Sequence, residues 1–521
     1  MEKEVKTPCA YNMVIGVSGP YGAGATSFSK EMSETLNNWP GTKVHTLNVA
    51  QLIEKYYKYY TNSEIDIPQD DNSNRREKLQ NAGTKIREKD LLATAKIIIT
   101  ELSKMAKTWE DDSKLVDIGT TVFLIDCVKN GNEVEELRRI YGEEFCLVFI
   151  HASRENRWRR EVDYKGWKEN KRVDFEERDR IDYNEKEVYP EVGDAGQEVQ
   201  KLSSLADYYV VNNYNREKLK SEASRFLGIL FGNGKNQPTI NERSMHIAFS
   251  ASNRSYCLSR QVGAAIIDDH GNTLGIGHND VPKANGGLYT QEDGQEDKRC
   301  YLVGDRRCIN DTNKQERFRQ LENELLRAVE LPESEKKKLR SIIQKSAFRE
   351  LTEFCRAVHA EMEALFSVCR LVSGSTVGST MYVTAQPCHN CTKHIICAGL
   401  KKVVYLERYP KSLGLELHSD AIELDPTDDR CFGKKLVLTP YEGVAPHRYH
   451  DFFIMRDERK SYDGHYLVRS KAEQAQKPRF AVHLKPRMRG RIDGVYHHPV
   501  TAKELLYMSE IGNMVKNYSQ R

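Results

Sequence analysis

No stretch of this chain approaches the ~20 consecutive apolar residues of a membrane span, so a protein that crosses the bilayer on helices is not expected. Charge of one sign is also scarce. Against 79 Lys and Arg stand 76 Asp and Glu, a formal net charge of +3 over 521 residues, too little for a global field that gathers nucleic acid or membrane surface. The opening residues Met1 to Thr7 are charged and lack the apolar core of a signal peptide. The 12 cysteines are scattered, with one C-x-x-C pair. That excludes a disulfide framework and reads as a reduced, cytoplasmic protein with metal sites. Internal repeats and low-complexity tracts are missing too. The length sets an expectation of about two to four domains.

What is present concentrates between Val358 and Gly399. Val358-His359-Ala360-Glu361 opens this stretch, and Gln386-Pro387-Cys388-His389-Asn390-Cys391 comes near its end. One His and two Cys suffice for a zinc ion on three protein ligands, with the fourth position open as a catalytic site requires. Glu361, two residues after His359, is placed to move protons rather than bind metal. The order H-x-E…P-C-x-x-C is the signature of zinc nucleobase deaminases. The pattern predicts a helix over 360–368, a buried strand over 380–384 broken at Pro387, and a second helix over 388–397. His359 and Cys388 then lie at helix N-termini, where the dipole favours thiolate and hydroxide. A closed structural knuckle would need a fourth nearby ligand, and His389 is the one candidate.

The first 232 residues read as a parallel doubly wound α/β domain, taken as 10–232. A buried strand at 12–18 runs into Gly19-Pro20-Tyr21-Gly22-Ala23-Gly24-Ala25-Thr26-Ser27 and then a helix over 28–36. The loop fits G-x-x-x-x-G-K-[ST] except that Ala25 stands in the lysine position. Its glycine amides and helix N-terminus still suit phosphate; the charge for phosphoryl transfer is missing, unless Lys30 or an arginine supplies it. The expected nucleotide-binding set is Gly19, Gly22, Gly24, Ala25, Thr26 and Ser27, with Asp126, at the end of the strand 121–126, where a magnesium-holding carboxylate would sit. Arg154, Arg157, Arg159 and Arg160 read either as a lid over phosphates or as a solvated helix face. The polar stretch 62–81 reads as a surface loop, and 231–238 as a linker.

From Ser244 a helix is expected, then a hairpin of strands 261–267 and 273–279. Cys257 to Asn279, His359 to Leu365, Tyr382 to Cys391 and Gly399 to Tyr405 resemble, in that order, the deoxycytidylate deaminase family. The resemblance implies a cytidine deaminase-like α/β/α domain with a mixed five-stranded sheet, over 240–455. It also makes Asn279 a substrate contact at the sugar, with His278 where the family has Tyr. Asn279 reads equally as a turn residue satisfying backbone groups. A P-loop domain ahead of such a deaminase resembles the anti-phage dCTP/dCMP deaminases of bacteria. That resemblance implies depletion of the deoxycytidine nucleotide pool, a homo-oligomer and, in some relatives, control by a small inhibitory RNA. A second, structural zinc occurs in some of the family; Cys257, Cys300, Cys308 and Cys355 are its candidate ligands here, and ordinary buried thiols are the alternative. A charged helical insertion is expected at about 285–350. A basic extension, 456–521, carries Lys477, Arg479, Arg487, Arg489 and Arg491.

The expected reaction is hydrolytic deamination of a deoxycytidine nucleotide, with His359, Cys388 and Cys391 on zinc, Glu361 as proton shuttle and the Ala360 amide at the base carbonyl. A regulatory nucleotide with magnesium is expected in the first domain. Rival readings are a polynucleotide deaminase, which needs a basic aromatic channel, and a P-loop kinase or nucleotide sensor carrying a deaminase-like module.

Overall fold

The computed structural model describes residues 9–68, 72–107, 119–213, 215–232, 235–329, 332–345, 354–371, 374–424, 434–454, 459–467, 469–476, 487–488, 490–492, 495–497 and 502–520. The chain divides into two compact units: 1–239 with 442–521, and 240–441.

In the first unit, β1 (Cys9–Ser18), β2 (Thr42–Asn48), β3 (Thr120–Asp126), β4 (Phe145–His151) and β5 (Tyr208–Val211) form one sheet in the order β5-β4-β1-β3-β2, every pair parallel. β3 is buried along its whole length, which is why Thr121-Val122-Phe123-Leu124-Ile125 reads as a continuous apolar run rather than an alternating one. The core gathers Met13, Ile15, Val17, Phe28, Met32, Val148, Ile150 and Phe226. One expectation fails here. The polar stretch 62–81 is not all loop: a helix, Asn72–Lys89, begins inside it. Its buried face mixes Ala82 and Ile86 with Thr84 and Arg87, which bond Glu185 and Glu133, so only a weak apolar periodicity announces it.

In the second unit, β6 (Gly263–Ile267), β7 (Thr273–His278), β8 (Thr380–Ala385), β9 (Lys402–Glu407), β10 (Ile422–Leu424) and β11 (Leu436–Pro440) form a mixed sheet in the order β10-β11-β9-β8-β6-β7. β6 is antiparallel to β7 and β8, and the rest are parallel. The short β10 adds a sixth strand to the five expected. Two glycines fix the layers. A Cβ on Gly263 would lie 1.9 Å from the carbonyl oxygen of Ala248, and one on Gly277 would lie 2.2 Å from that of Ala360 and 2.3 Å from the Ala364 nitrogen. Gly277 is the cross-strand partner of Ala264, not of Gly263, and neighbouring residues on a strand face opposite ways. The helices Ile240–Ser252 and Ala360–Cys369 therefore cover opposite faces, an α/β/α sandwich. Gly277→Ala is expected to push the second helix off the sheet. The cost is at least the ~1–3 kcal/mol of an overpacked core, read as a lowered Tm.

The expected boundary at 455 falls instead at Tyr441. β12 (Gly443–Val444) pairs antiparallel with β5, Ala445 N–H donates to the Asp207 carbonyl at 2.9 Å, and Phe452 enters the first unit's core. The edge of β5 needs a partner, and this segment supplies one. β13 (Arg487–Met488) adds to the start of β1. The helix Ala502–Ser519, expected as part of a basic tail, also belongs to this unit. Tyr507 is buried and donates its hydroxyl to Glu136 at 2.5 Å. Lys477, Arg479 and Arg489 lie outside the described residues.

Candidate active site

His359 and Cys388 occupy equivalent places in two helices of the second unit. Each is the extended residue just before the first turn, His359 at φ −74° and ψ 151° and Cys388 at φ −70° and ψ 167°. Neither side chain caps its helix, so both are free to turn toward a common point. The His359 Nδ1 lies 3.5 Å from the Cys388 Sγ and 3.3 Å from the Cys391 Sγ. The three donor atoms fall within 4.8 Å of one another, the one such trio among the described residues.

The protonation of this cluster is that of a site short of positive charge. The Cys388 thiol is pulled down to about 3, chiefly by the Cys391 thiol beside it and then by His359. Cys391 is pushed well above its usual range by the same hydrogen bond and by burial. The His359 ring is raised to about 11 by hydrogen bonds with Cys355 and Cys388. One imidazole nitrogen and two sulfurs fit zinc, which takes such ligands and leaves a fourth position open in a catalytic site. Glu361 is buried, at 4% exposure, and interacts with the Cys391 thiol. Burial pushes its carboxyl above the usual carboxylate range. His278, also buried, is pushed down to about 4, so it stands neutral at physiological pH.

Asn279 is buried and spends both ends of its amide on the backbone. Its Oδ1 accepts from Val262 N–H at 2.7 Å, and its Nδ2 donates to the Arg260 carbonyl at 2.8 Å. It pins the 260–262 segment, and the Arg260 guanidinium on that segment pairs with Glu407 at the end of β9. Sequence reasoning passed over Arg260; its signal was a cation next to the strand that leads to Asn279. Ala360 is fully buried in the first turn of its helix. Cys257, Cys300, Cys308 and Cys355 line one cavity with Asp280 and Arg356. No three of these four sulfurs come within 4.8 Å of one another.

In the first unit the Gly-rich loop leads into the helix Ala25–Asn37, with Gly22 at φ 76° and Gly24 at φ 98°. Gly19 would carry a Cβ 2.4 Å from the Ile150 carbonyl oxygen. The Thr26 hydroxyl donates to Asp126 Oδ1 at 3.2 Å, which brings the expected pair together. Lys30 does not reach the loop: its side chain is 69% exposed beside Glu34. Arg157 is buried against Asp179, and Arg159 is exposed beside Glu155, so the arginine tract divides between core and surface. No helix among the described residues is long and apolar enough to cross a membrane.

The description "Cytidine and deoxycytidylate deaminase zinc-binding region" matches residues 238–407. The deoxycytidylate deaminase of Enterobacteria phage T4 is 31% identical over 177 residues, covering 32% of this chain and 78% of the phage protein. Among solved structures, dCMP deaminase from the cyanophage S-TIM5 in complex with dCMP and dUMP aligns at 22% identity over 39% of this chain and 98% of that one, with a TM-score of 0.23. Shikimate kinase from Acinetobacter baumannii aligns at 13% identity over 43% and 96%, with a TM-score of 0.25. By its match to the T4 enzyme and by the zinc-binding region within it, the chain belongs to the deoxycytidylate deaminase family.

Proposed function

We propose that this protein hydrolyses the exocyclic amino group of a deoxycytidine nucleotide, dCMP or dCTP, to give the deoxyuridine nucleotide and ammonia. The observation that carries the reading is the convergence of His359, Cys388 and Cys391 within 4.8 Å, with the buried Glu361 carboxyl against Cys391. Those three residues would hold zinc, which when bound acts as a Lewis acid that makes water nucleophilic near neutral pH. Glu361 takes the proton that water releases and passes it to N3 of the cytosine ring. It then takes the remaining proton of the hydroxyl added at C4 and delivers it to the amine, which leaves as ammonia as the C4 carbonyl forms. A carboxyl raised by burial suits this double duty, because a shuttle works best with a pKa near the operating pH. The Ala360 N–H, at the start of its helix, is directed to the base carbonyl, and Asn279 holds the 260–262 segment against the sugar.

The test is ammonia release from purified, zinc-loaded protein offered dCMP, dCTP, deoxycytidine, cytidine and a cytosine-containing oligonucleotide. Release from dCMP or dCTP is expected. Release from the oligonucleotide alone would replace the reading with a polynucleotide deaminase.

Three parts of the proposal have separate support. The phosphate loop of the first unit, with Gly19, Gly22, Gly24, Ala25, Thr26, Ser27 and Asp126, holds a nucleotide with magnesium that regulates deamination; the intact loop and the Thr26–Asp126 contact support this. Depletion of the dCTP pool against phage, homo-oligomerisation and control by a small RNA rest on resemblance to the bacterial anti-phage deaminases. The second zinc, on Cys257, Cys300, Cys308 and Cys355, is supported by their shared cavity; binding it requires the four sulfurs to move closer together. It predicts about two zinc ions per chain, by the four-ligand rule for structural sites, falling to about one in Cys308→Ser with ammonia release retained. A wild-type content of one removes it.

A further inference from the structure

The phosphate loop lacks its lysine, and that poses a charge problem. Among the described residues, the N–H groups of Gly22, Gly24, Ala25, Thr26 and Ser27 have no hydrogen-bond partner; Ala23 N–H bonds the Pro20 carbonyl and Tyr21 N–H bonds Asp182. Gly22, Gly24 and Ala25 are half-buried and Thr26 and Ser27 exposed; free donors from one loop and one helix start suit the oxygens of a phosphate chain. Amides alone give partial charges. A nucleotide's β- and γ-phosphates call for a full one.

The cations around the loop can be sorted by what they already hold. Arg157 is committed to Asp179 and to the Tyr21 carbonyl, at 2.9 Å. Arg160 has no carboxylate partner among the described residues; it donates to the Asn212 carbonyl at 2.6 Å and to the loop carbonyl of Ala23 at 3.5 Å. Arg76 lies over the Tyr21 ring, 4.1 Å from its centroid, and pairs with Glu161 at 3.5 Å. Lys129 differs. Its Nζ donates to the carbonyl of Gly19, the first residue of the loop, at 2.8 Å, and pairs with Asp182 Oδ2 at 2.8 Å. An ammonium has three hydrogens, so one remains. Its place in sequence is also telling: it follows Asp126 by three residues, so one strand end supplies both the carboxylate that meets Thr26 and the ammonium at the loop's start.

We infer that Lys129 is the phosphate-binding cation of this loop, supplied from the end of β3 in place of the lysine that Ala25 displaces, and that the ligand is a nucleoside triphosphate or another polyphosphate. This rests on the proposed nucleotide site and adds the residue that makes it selective for a charged phosphate chain. Asp182 is the resting partner of the ammonium. It also accepts from Tyr21 N–H at 2.8 Å, and it competes with the ligand for Lys129. The two members of one ion pair therefore have opposite effects on binding, which a purely structural pair would not.

The test uses the full-length, zinc-loaded protein titrated calorimetrically with ATP, GTP and inorganic triphosphate, each with magnesium. Lys129→Ala is expected to weaken binding at least tenfold. Lys129→Arg should retain most of it, and Lys30→Ala should leave it unchanged. Asp182→Asn should tighten binding a few-fold. Ala25→Lys added to Lys129→Ala should restore it. Thermal melts of each variant separate misfolding from lost binding, and Asp182→Asn carries the test if Lys129→Ala does not fold. Wild-type affinity in a folded Lys129→Ala protein, or weaker binding in Asp182→Asn, overturns the role of Lys129 and leaves the nucleotide site standing. A wild-type protein that binds none of the three probes overturns both.

Discussion

Replacing Glu361 by glutamine is expected to stop ammonia release from dCMP and dCTP while zinc content stays at the wild-type value. Glutamine keeps the size and the carbonyl oxygen of the side chain and loses the ability to carry a proton. Two transfers in the proposed reaction pass through this one carboxyl: from water to N3, and then to the leaving amine. General acid–base groups contribute about 10²–10⁴-fold, and removal of the only shuttle places the loss at or beyond the upper end. Because Glu361 sits against Cys391 rather than among the three donors nearest one another, the metal should remain. Ammonia assays paired with elemental analysis decide the matter. Turnover within tenfold of wild type would remove Glu361 from the mechanism, and a zinc-free variant would make it a ligand.

The second large effect is expected from Cys388→Ala and Cys391→Ala, each of which should lose both zinc and activity. Either change leaves two protein donors where three were gathered within 4.8 Å. Metal binding in such sites is coupled to folding, so the Tm should fall as well, and by a similar amount in the two variants. Cys391→Ala has an added consequence. It leaves the Cys388 thiol without the neighbour that chiefly pulls it down, so the surviving thiol should become less readily ionised and a poorer ligand at neutral pH. Full zinc occupancy in either variant would place the metal elsewhere.

The convergence of His359, Cys388 and Cys391 was legible because its pattern is local. His359 and Glu361 share one helix start, and Cys388 and Cys391, three residues apart, share another. The parallel strands were legible for a similar reason, since burial on both faces leaves apolar runs such as 121–125. What escaped was what depends on the fold bringing distant residues together. Asn279 read as a substrate contact or as a turn residue bonding the backbone, and the groups it bonds, at residues 260 and 262, could not be named until the hairpin closed. Lys129 looked like any charged residue after a strand; nothing local says that Gly19, 110 positions earlier, lies against it. The helix at 72–89 was missed because its buried face sets Thr84 and Arg87 among only two apolar residues, Ala82 and Ile86, too few for a hydrophobic stripe. The boundary at 441 was missed because a two-residue strand, Gly443–Val444, has no sequence pattern of its own.

That short strand bears on how the protein is made. The deaminase unit, 240–441, interrupts the first unit in the chain, and synthesis is vectorial at about 5–20 residues per second. After residue 239 leaves the ribosome, roughly 10–40 s pass at that rate before Gly443 and Val444 are available to close the edge of β5, and longer before the helix 502–519 arrives. For that interval the nascent first unit has an open strand edge, the kind of surface that pairs with other chains. A frameshift or stop codon after residue 441 would then spare every proposed zinc ligand and still damage the unit translated first. The phosphate loop, encoded at codons 19–26, depends for its sheet on codons more than 400 positions downstream.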